Sequence, residues 1–246
     1  MKQFKKVLAG VAVAAALATS HASTINVGGV VWDPDSSFDF TGTTATITQS
    51  INPLTGELSG FGNVTILNNT TQNIFAPGAE LTIQYSGFLP SVESAIPGPA
   101  GGGTQIQYTG GLIQFFIDST PDTNQGTTLT FANTGDGLLW LSLVGHAQEG
   151  GITFVGTNFF PSVLQGAGLA DVIGGLAAGN LNTNTQPDGS DMKFSTTFTS
   201  FVNPLSPLNS NGSGTLTGNS IPEPESLALF GMGLLGLAAS RRRKSA

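Results

Sequence analysis

ELTIQYS, residues 80–86, decides the fold class. Leu81, Ile83 and Tyr85 alternate with Thr82 and Gln84, the period of a strand with one buried and one wet face. The pattern extends outward through a chain rich in Thr, Gly and Asn and poor in strong helix formers. Further strands are expected at 25–32, 43–51, 57–67, 105–117, 127–132, 138–145, 151–156 and 191–202. In the last of these Met192, Phe194, Phe198 and Val202 share a face. The runs 112–117 and 138–144 are apolar on both faces and read as central strands. Turn residues separate the strands at Asn52-Pro53, Pro77-Gly78, 97–103 (PGPAGGG), Pro121–Asn124 and Pro187–Gly189. The expectation is an all-β domain over 23–202, an antiparallel β-sandwich or jelly-roll-like fold. One segment departs from the pattern. SVLQGAGLADVIGGLAAG, 162–179, is Leu/Ala-rich and is the one helical candidate, near 168–178. Residues 203–220 read as a flexible Pro/Ser/Asn/Gly linker.

Both ends carry processing signals. Lys2, Lys5 and Lys6 precede an apolar run from Val7 to Ala18, and Ser20-His21-Ala22 supplies small residues. Residues 1–22 therefore read as a secretory signal peptide, cut between Ala22 and Ser23. At the other end, 227–239 has no polar side chain and is followed by Arg241, Arg242, Arg243 and Lys244. With Ser226 and Ser240 it makes a helix of about 22 Å, short of the ~30 Å hydrocarbon core. It would cross by thinning the bilayer, with the basic cluster cytoplasmic. Gly231, Gly233 and Gly236 match G-x-G-x-x-G. Yet the chain ends ten residues later, without the second strand or ribose-binding acid a nucleotide site needs. Small residues here instead let another helix approach closely.

The tail, residues 221–246, resembles the PEP-CTERM sorting signal in three parts: Pro222-Glu223-Pro224, the short Leu/Gly-rich helix and the terminal Arg cluster. The resemblance implies an exported Gram-negative protein handled by an exosortase, a membrane-embedded sorting protease. It implies Pro222, Glu223 and Pro224 as the recognition motif and the basic cluster as a cytoplasmic stop. Such signals are typical of bacteria that make extracellular polysaccharide, biofilm or floc. The body, from INVGGVVWDPDSSFDF to LADVIGGLAAGNLNTNTQPDGSDMKF, resembles flocculation-associated members of that group.

Charge narrows the function. Of 8 Lys and Arg, three lie in the signal peptide and four in the terminal cluster, leaving Lys193. Of 15 Asp and Glu, only Glu223 and Glu225 lie beyond 220, so the exported body holds 13 acids against one base. Such a surface repels nucleic acid. With no cysteine there is no disulfide and no thiol nucleophile. His146 is the body's one histidine and reads as structural at a strand end. The acids, including Glu57, Glu80, Glu93 and Glu149 as glycosidase candidates, read as solvated surface by default. Asp33, Asp35 and Asp39 crowd one loop with oxygen ligands suited to calcium, and Asp188 and Asp191 form a weaker pair. Trp32, Trp140, Tyr85 and Tyr108 are the candidates for stacking on sugar, with Trp32 nearest an edge and Trp140 in the core. The chain thus reads as an exported, non-enzymatic cell-surface or matrix protein associated with extracellular polysaccharide, passing transiently through the inner membrane by 227–239. The alternatives are a calcium-dependent carbohydrate-binding module and a secreted glycosidase.

Overall fold

The ELTIQYS stretch opens the longest strand. Leu81, Ile83 and Tyr85 are buried as their alternation requires. The computed structural model describes residues 24–36, 39–68, 70–71, 78–97, 102–123, 129–159, 163–200, 209–221 and 233. Within them lie β1 (Ile25–Val27), β2 (Val30–Trp32), β3 (Phe40–Ile51), β4 (Leu58–Leu67), β5 (Thr70–Thr71) and β6 (Glu80–Ile96). The chain continues with β7 (Gly103–Asp118), β8 (Leu138–Gly145), β9 (Phe154–Phe159), β10 (Val163–Gly174), β11 (Met192–Ser200) and β12 (Asn209–Gly218).

The all-β, antiparallel expectation holds, and the pairing makes it more specific than two packed sheets. β3 pairs with β4, β4 with β6 and β6 with β7. β10 pairs with β11, β11 with β12, and β12 returns to β3. β8 and β9 both lie between β7 and β10, end to end. They are two halves of one stave, interrupted at 146–153. The result is a closed up-and-down barrel, each stave joined to the next in sequence, without the Greek-key crossings of a jelly roll. Register shifts in β3–β4, β4–β6, β6–β7, β8–β10 and β12–β3 mark bulges. Bulges raise local twist and let a sheet curl shut.

Several local expectations change. The helical candidate near 168–178 is mostly β10; the only α-helical turn in that region is Ala178–Leu181. Its glycines serve close packing. A side chain on Gly166 would strike the Phe154 ring, and one on Gly168 the Phe194 ring. Neighbouring aromatics cover these gaps, which a helix would not provide. The linker expected at 203–220 is also different, because 209–218 is β12, the strand that closes the barrel. Gly212 lies under Phe198, and Gly218 under Met192. The Gly/Ser/Asn composition that suggests a linker is a strand made narrow for its neighbours. The compact unit accordingly runs from Thr24 to Ile221, beyond the expected 23–202. The described part of the strand expected at 127–132, residues 129–132, is irregular chain running into a turn.

The lumen is filled from the middle outward. Phe88, Phe154 and Phe194 form an aromatic trio with ring centroids 5.5–6.0 Å apart. One barrel end is plugged by the β1–β2 hairpin, whose Ile25, Val30 and Trp32 are buried. Trp32 meets Phe40 and Trp140 at 5.6 and 6.1 Å. The Trp140 indole N–H donates to the carbonyl of Val27 at 2.9 Å, satisfying its polar edge inside the plug.

Candidate functional site

Several acids have structural work rather than solvated positions. Asp191 is buried and accepts N–H bonds from Val172 at 2.7 Å and from Thr183 and Asn184 at 2.6 Å. Glu80 is buried and accepts from the amides of Asp122 and Thr123 and from the Thr123 hydroxyl. Glu57 accepts the Gly87 N–H at 2.9 Å. The amides of Asp122, Thr123, Thr183 and Asn184 lie outside the strands, and those of Val172 and Gly87 lie in β10 and β6; each takes a carboxylate acceptor, which sequence position alone does not reveal.

The Asp33, Asp35 and Asp39 cluster is not one site. Asp33 caps the Asp35 N–H at 2.9 Å, while both oxygens of Asp39 are engaged with Ser220 at 2.5–2.6 Å. Among the described residues no three His, Asp or Glu side chains converge as a metal would require. Asp188 and Asp191 also separate, since Asp188 is exposed and Asp191 buried. The aromatic candidates are all interior, Trp32 included. Trp32 plugs the barrel, and burial pushes the phenols of Tyr85 and Tyr108 upward, with Glu93 adding to the effect at Tyr108.

The barrel lumen retains an apolar cavity of about 60 Å³ beside Phe88, Phe115, Phe154 and Leu216. Its polar edge is already occupied: the Tyr85 hydroxyl meets Gln49 Oε1 at 3.4 Å, and Gln49 Nε2 donates to Ser210 Oγ at 3.3 Å. That volume is far below the roughly 300–1,000 Å³ of ligand pockets. It is a packing void.

The larger concavity is outside the barrel wall, where the β8/β9 stave is interrupted. Residues 146–153 leave the sheet, close on themselves through Gln148 N–H to Ile152 O at 2.8 Å, and rejoin through Thr153 N–H to Tyr108 O at 2.9 Å. The cleft beside them, about 620 Å³, is lined by Gln107, His146, Gln148, Glu149, Asp188 and the apolar Ile152. His146 is not alone. Its Nδ1–H donates to Asp171 at 2.8 Å. The β8–β10 register makes the pair, placing Val144 opposite Asp171. Sequence reasoning missed this partner because Asp171 fell in the segment read as helical. A carboxylate on Nδ1 fixes the ring and leaves Nε2 available. Among the described residues the cleft lining holds no hydroxyl or thiol, so none of them offers the His–Asp pair a nucleophile to activate.

The sorting residues Pro222, Glu223, Pro224 and Arg241 to Lys244, the cleavage pair Ala22 and Ser23, and the apolar segment 227–239 lie outside the described residues (Gly233 apart). Among the described residues no helix is long and apolar enough to cross a membrane. The chain enters this tail from a fixed point. The Trp32 indole N–H donates to Ser220 Oγ at 3.1 Å, and the Ile221 N–H donates to Asn180 O at 2.8 Å. Residues 220–244 match the family model of the PEP-CTERM protein-sorting motif. The chain is therefore an exported protein sorted by an exosortase. No curated protein and no solved structure matches it. The matched motif thus begins at Ser220, a residue that the barrel itself holds through Asp39 and Trp32.

Proposed function

We propose that this PEP-CTERM protein is a non-catalytic component of the cell surface or extracellular matrix that associates with extracellular polysaccharide in biofilm or floc. The sorting motif carries the reading, because it joins a folded barrel to exosortase processing. Composition agrees. An arginine-free body with 13 acids and one lysine is hydrated and soluble, as a matrix component needs to be. A sheet closed around most of its length leaves few free edges for uncontrolled pairing. Glu149 and Asp188 share the outer cleft, which keeps glycoside hydrolysis as the second reading. Both are exposed, whereas a glycosidase general acid depends on shielding from water.

The test is deletion of the gene in its host, with complementation by the full chain or by residues 1–221, which keep the Ile221–Asn180 bond. Loss of aggregation while polysaccharide yield persists, restored by the full chain alone, supports a sorted matrix component. Unchanged aggregation on deletion removes the reading. In parallel, Glu223→Ala or deletion of Arg241–Lys244 is expected to leave unprocessed protein in the inner membrane.

A further inference from the structure

We infer that the outer cleft at the β8/β9 interruption binds amine-bearing sugar units, and so that the polymer this protein associates with carries free amino groups. The inference rests on the polysaccharide reading above and assigns it a place and a chemistry.

Three observations converge on the cleft. Its volume of about 620 Å³ is within the range of small-ligand sites and suits one or two sugar rings. Its polar side chains are uncommitted. Gln107, Gln148, Glu149 and Asp188 make no side-chain hydrogen bond or ion pair to another described residue. That contrasts with Glu57, Glu80, Asp39 and Asp191, each spent on backbone amides. Third, His146 is held by Asp171 with Nε2 unoccupied. Two amides, two carboxylates and an oriented imidazole offer the mixture of donors and acceptors that ring hydroxyls require. Ile152 supplies an apolar floor, buried at the base of the loop.

Charge selects among sugars. Glu149 and Asp188 bring two negative charges to the cleft, and among the described residues no lysine or arginine lines it. A uronate or sulfated polymer would meet repulsion there, and from the rest of the acidic body. A protonated sugar amine would be drawn in and would find carboxylate acceptors for its N–H groups. N-acetylation removes both the charge and two of the three donors, so the acetylated unit is the sharpest comparison.

The experiment uses the full chain purified in detergent micelles, titrated calorimetrically at mildly acid pH. The probes are hexamers of glucosamine, N-acetylglucosamine, glucose and glucuronate. The glucosamine hexamer is expected to bind saturably, at least about ten-fold more tightly than the acetylated one. Glu149→Gln with Asp188→Asn should weaken it at least about ten-fold. Asp33→Asn with Asp35→Asn removes the same charge elsewhere and should change little. Equal losses from the two double variants would mean attraction to a polyanion without a site, and would overturn the proposal. So would equal binding of the acetylated hexamer, or release of new reducing ends, which would make the cleft hydrolytic. If a neutral or acidic hexamer binds and the Glu149/Asp188 variant leaves it unchanged, the cleft assignment fails while the polysaccharide reading stands. If neither the hexamers nor the host's own polysaccharide binds, both fail.

Discussion

Asp39 holds Ser220 from 181 positions away: one carboxylate oxygen accepts the Ser220 backbone N–H at 2.6 Å and the other its hydroxyl at 2.5 Å. The reason is the closing pair of the barrel. Phe40 lies opposite Gly218, so the residues just beyond each strand end meet. Ser220 Oγ also accepts the Trp32 indole N–H, which ties the plug, the closing strand and the exit of the sorting tail together. Asp39→Ala should cost about 2 kcal/mol in urea unfolding, since it strands a backbone N–H and a buried indole's partner. Asp39→Asn, which keeps one acceptor, should cost less. An unchanged midpoint for Asp39→Ala would show that the clasp contributes nothing to stability.

Asp191 should be less tolerant still. It is buried and is the acceptor for three backbone N–H groups. Alanine there leaves all three without a partner, at roughly 1–3 kcal/mol each before relaxation. The expected result is loss of most folded, protease-resistant protein. Glu80→Ala, with fewer backbone amides at stake, should retain a measurable two-state transition at lower urea. Wild-type protease resistance for Asp191→Ala would contradict this account of the 182–191 loop.

The glycine of the closing strand gives a third prediction. A Cβ on Gly212 would press on the Thr197 carbonyl and the Phe198 ring. Gly212→Ala should destabilise by about 1–3 kcal/mol as an overpacking change. Gly179, in the short helical turn and facing open space, is the control. Gly179→Ala should be neutral or slightly stabilising, because helix propensity rises. Equal thermal midpoints for the two variants would mean that 209–218 is not packed as a barrel strand.

The buried tyrosines predict alkaline weakness. Folding raises the phenols of Tyr85 and Tyr108 above their ordinary value near 10, chiefly by burial. Each raised group leaves stability intact below the unfolded value of about 10 and removes it as pH climbs beyond. There the unfolded chain has released a proton that the folded one keeps. The limiting slope is about 1.4 kcal/mol per pH unit per tyrosine. Urea midpoints should therefore fall above pH ~10. Tyr85→Phe should lower that slope by about half, even though it removes the 3.4 Å contact with Gln49. An identical alkaline slope in Tyr85→Phe would rule out Tyr85 as a source of the effect.

The sequence by itself determined the class of each segment whose signal is local. Alternation in 80–86 named a strand because period two is a property of one stretch of backbone. The apolar run 138–145 marked β8 to the residue. The Pro-Glu-Pro motif, apolar segment and Arg cluster marked the sorting tail, because a processing enzyme must read them as linear sequence. Tertiary structure alone decided what depends on a neighbour. Glycines in β10 and β12 look like helix breaks or linker until Phe154, Phe194 and Phe198 are seen lying across them. His146 looks solitary until the β8–β10 register delivers Asp171. Asp39 looks like a calcium ligand until barrel closure brings it Ser220. In each case the partner lies on another strand or just beyond its end, and only the pairing of strands, hairpin or closing pair, sets the distance between them.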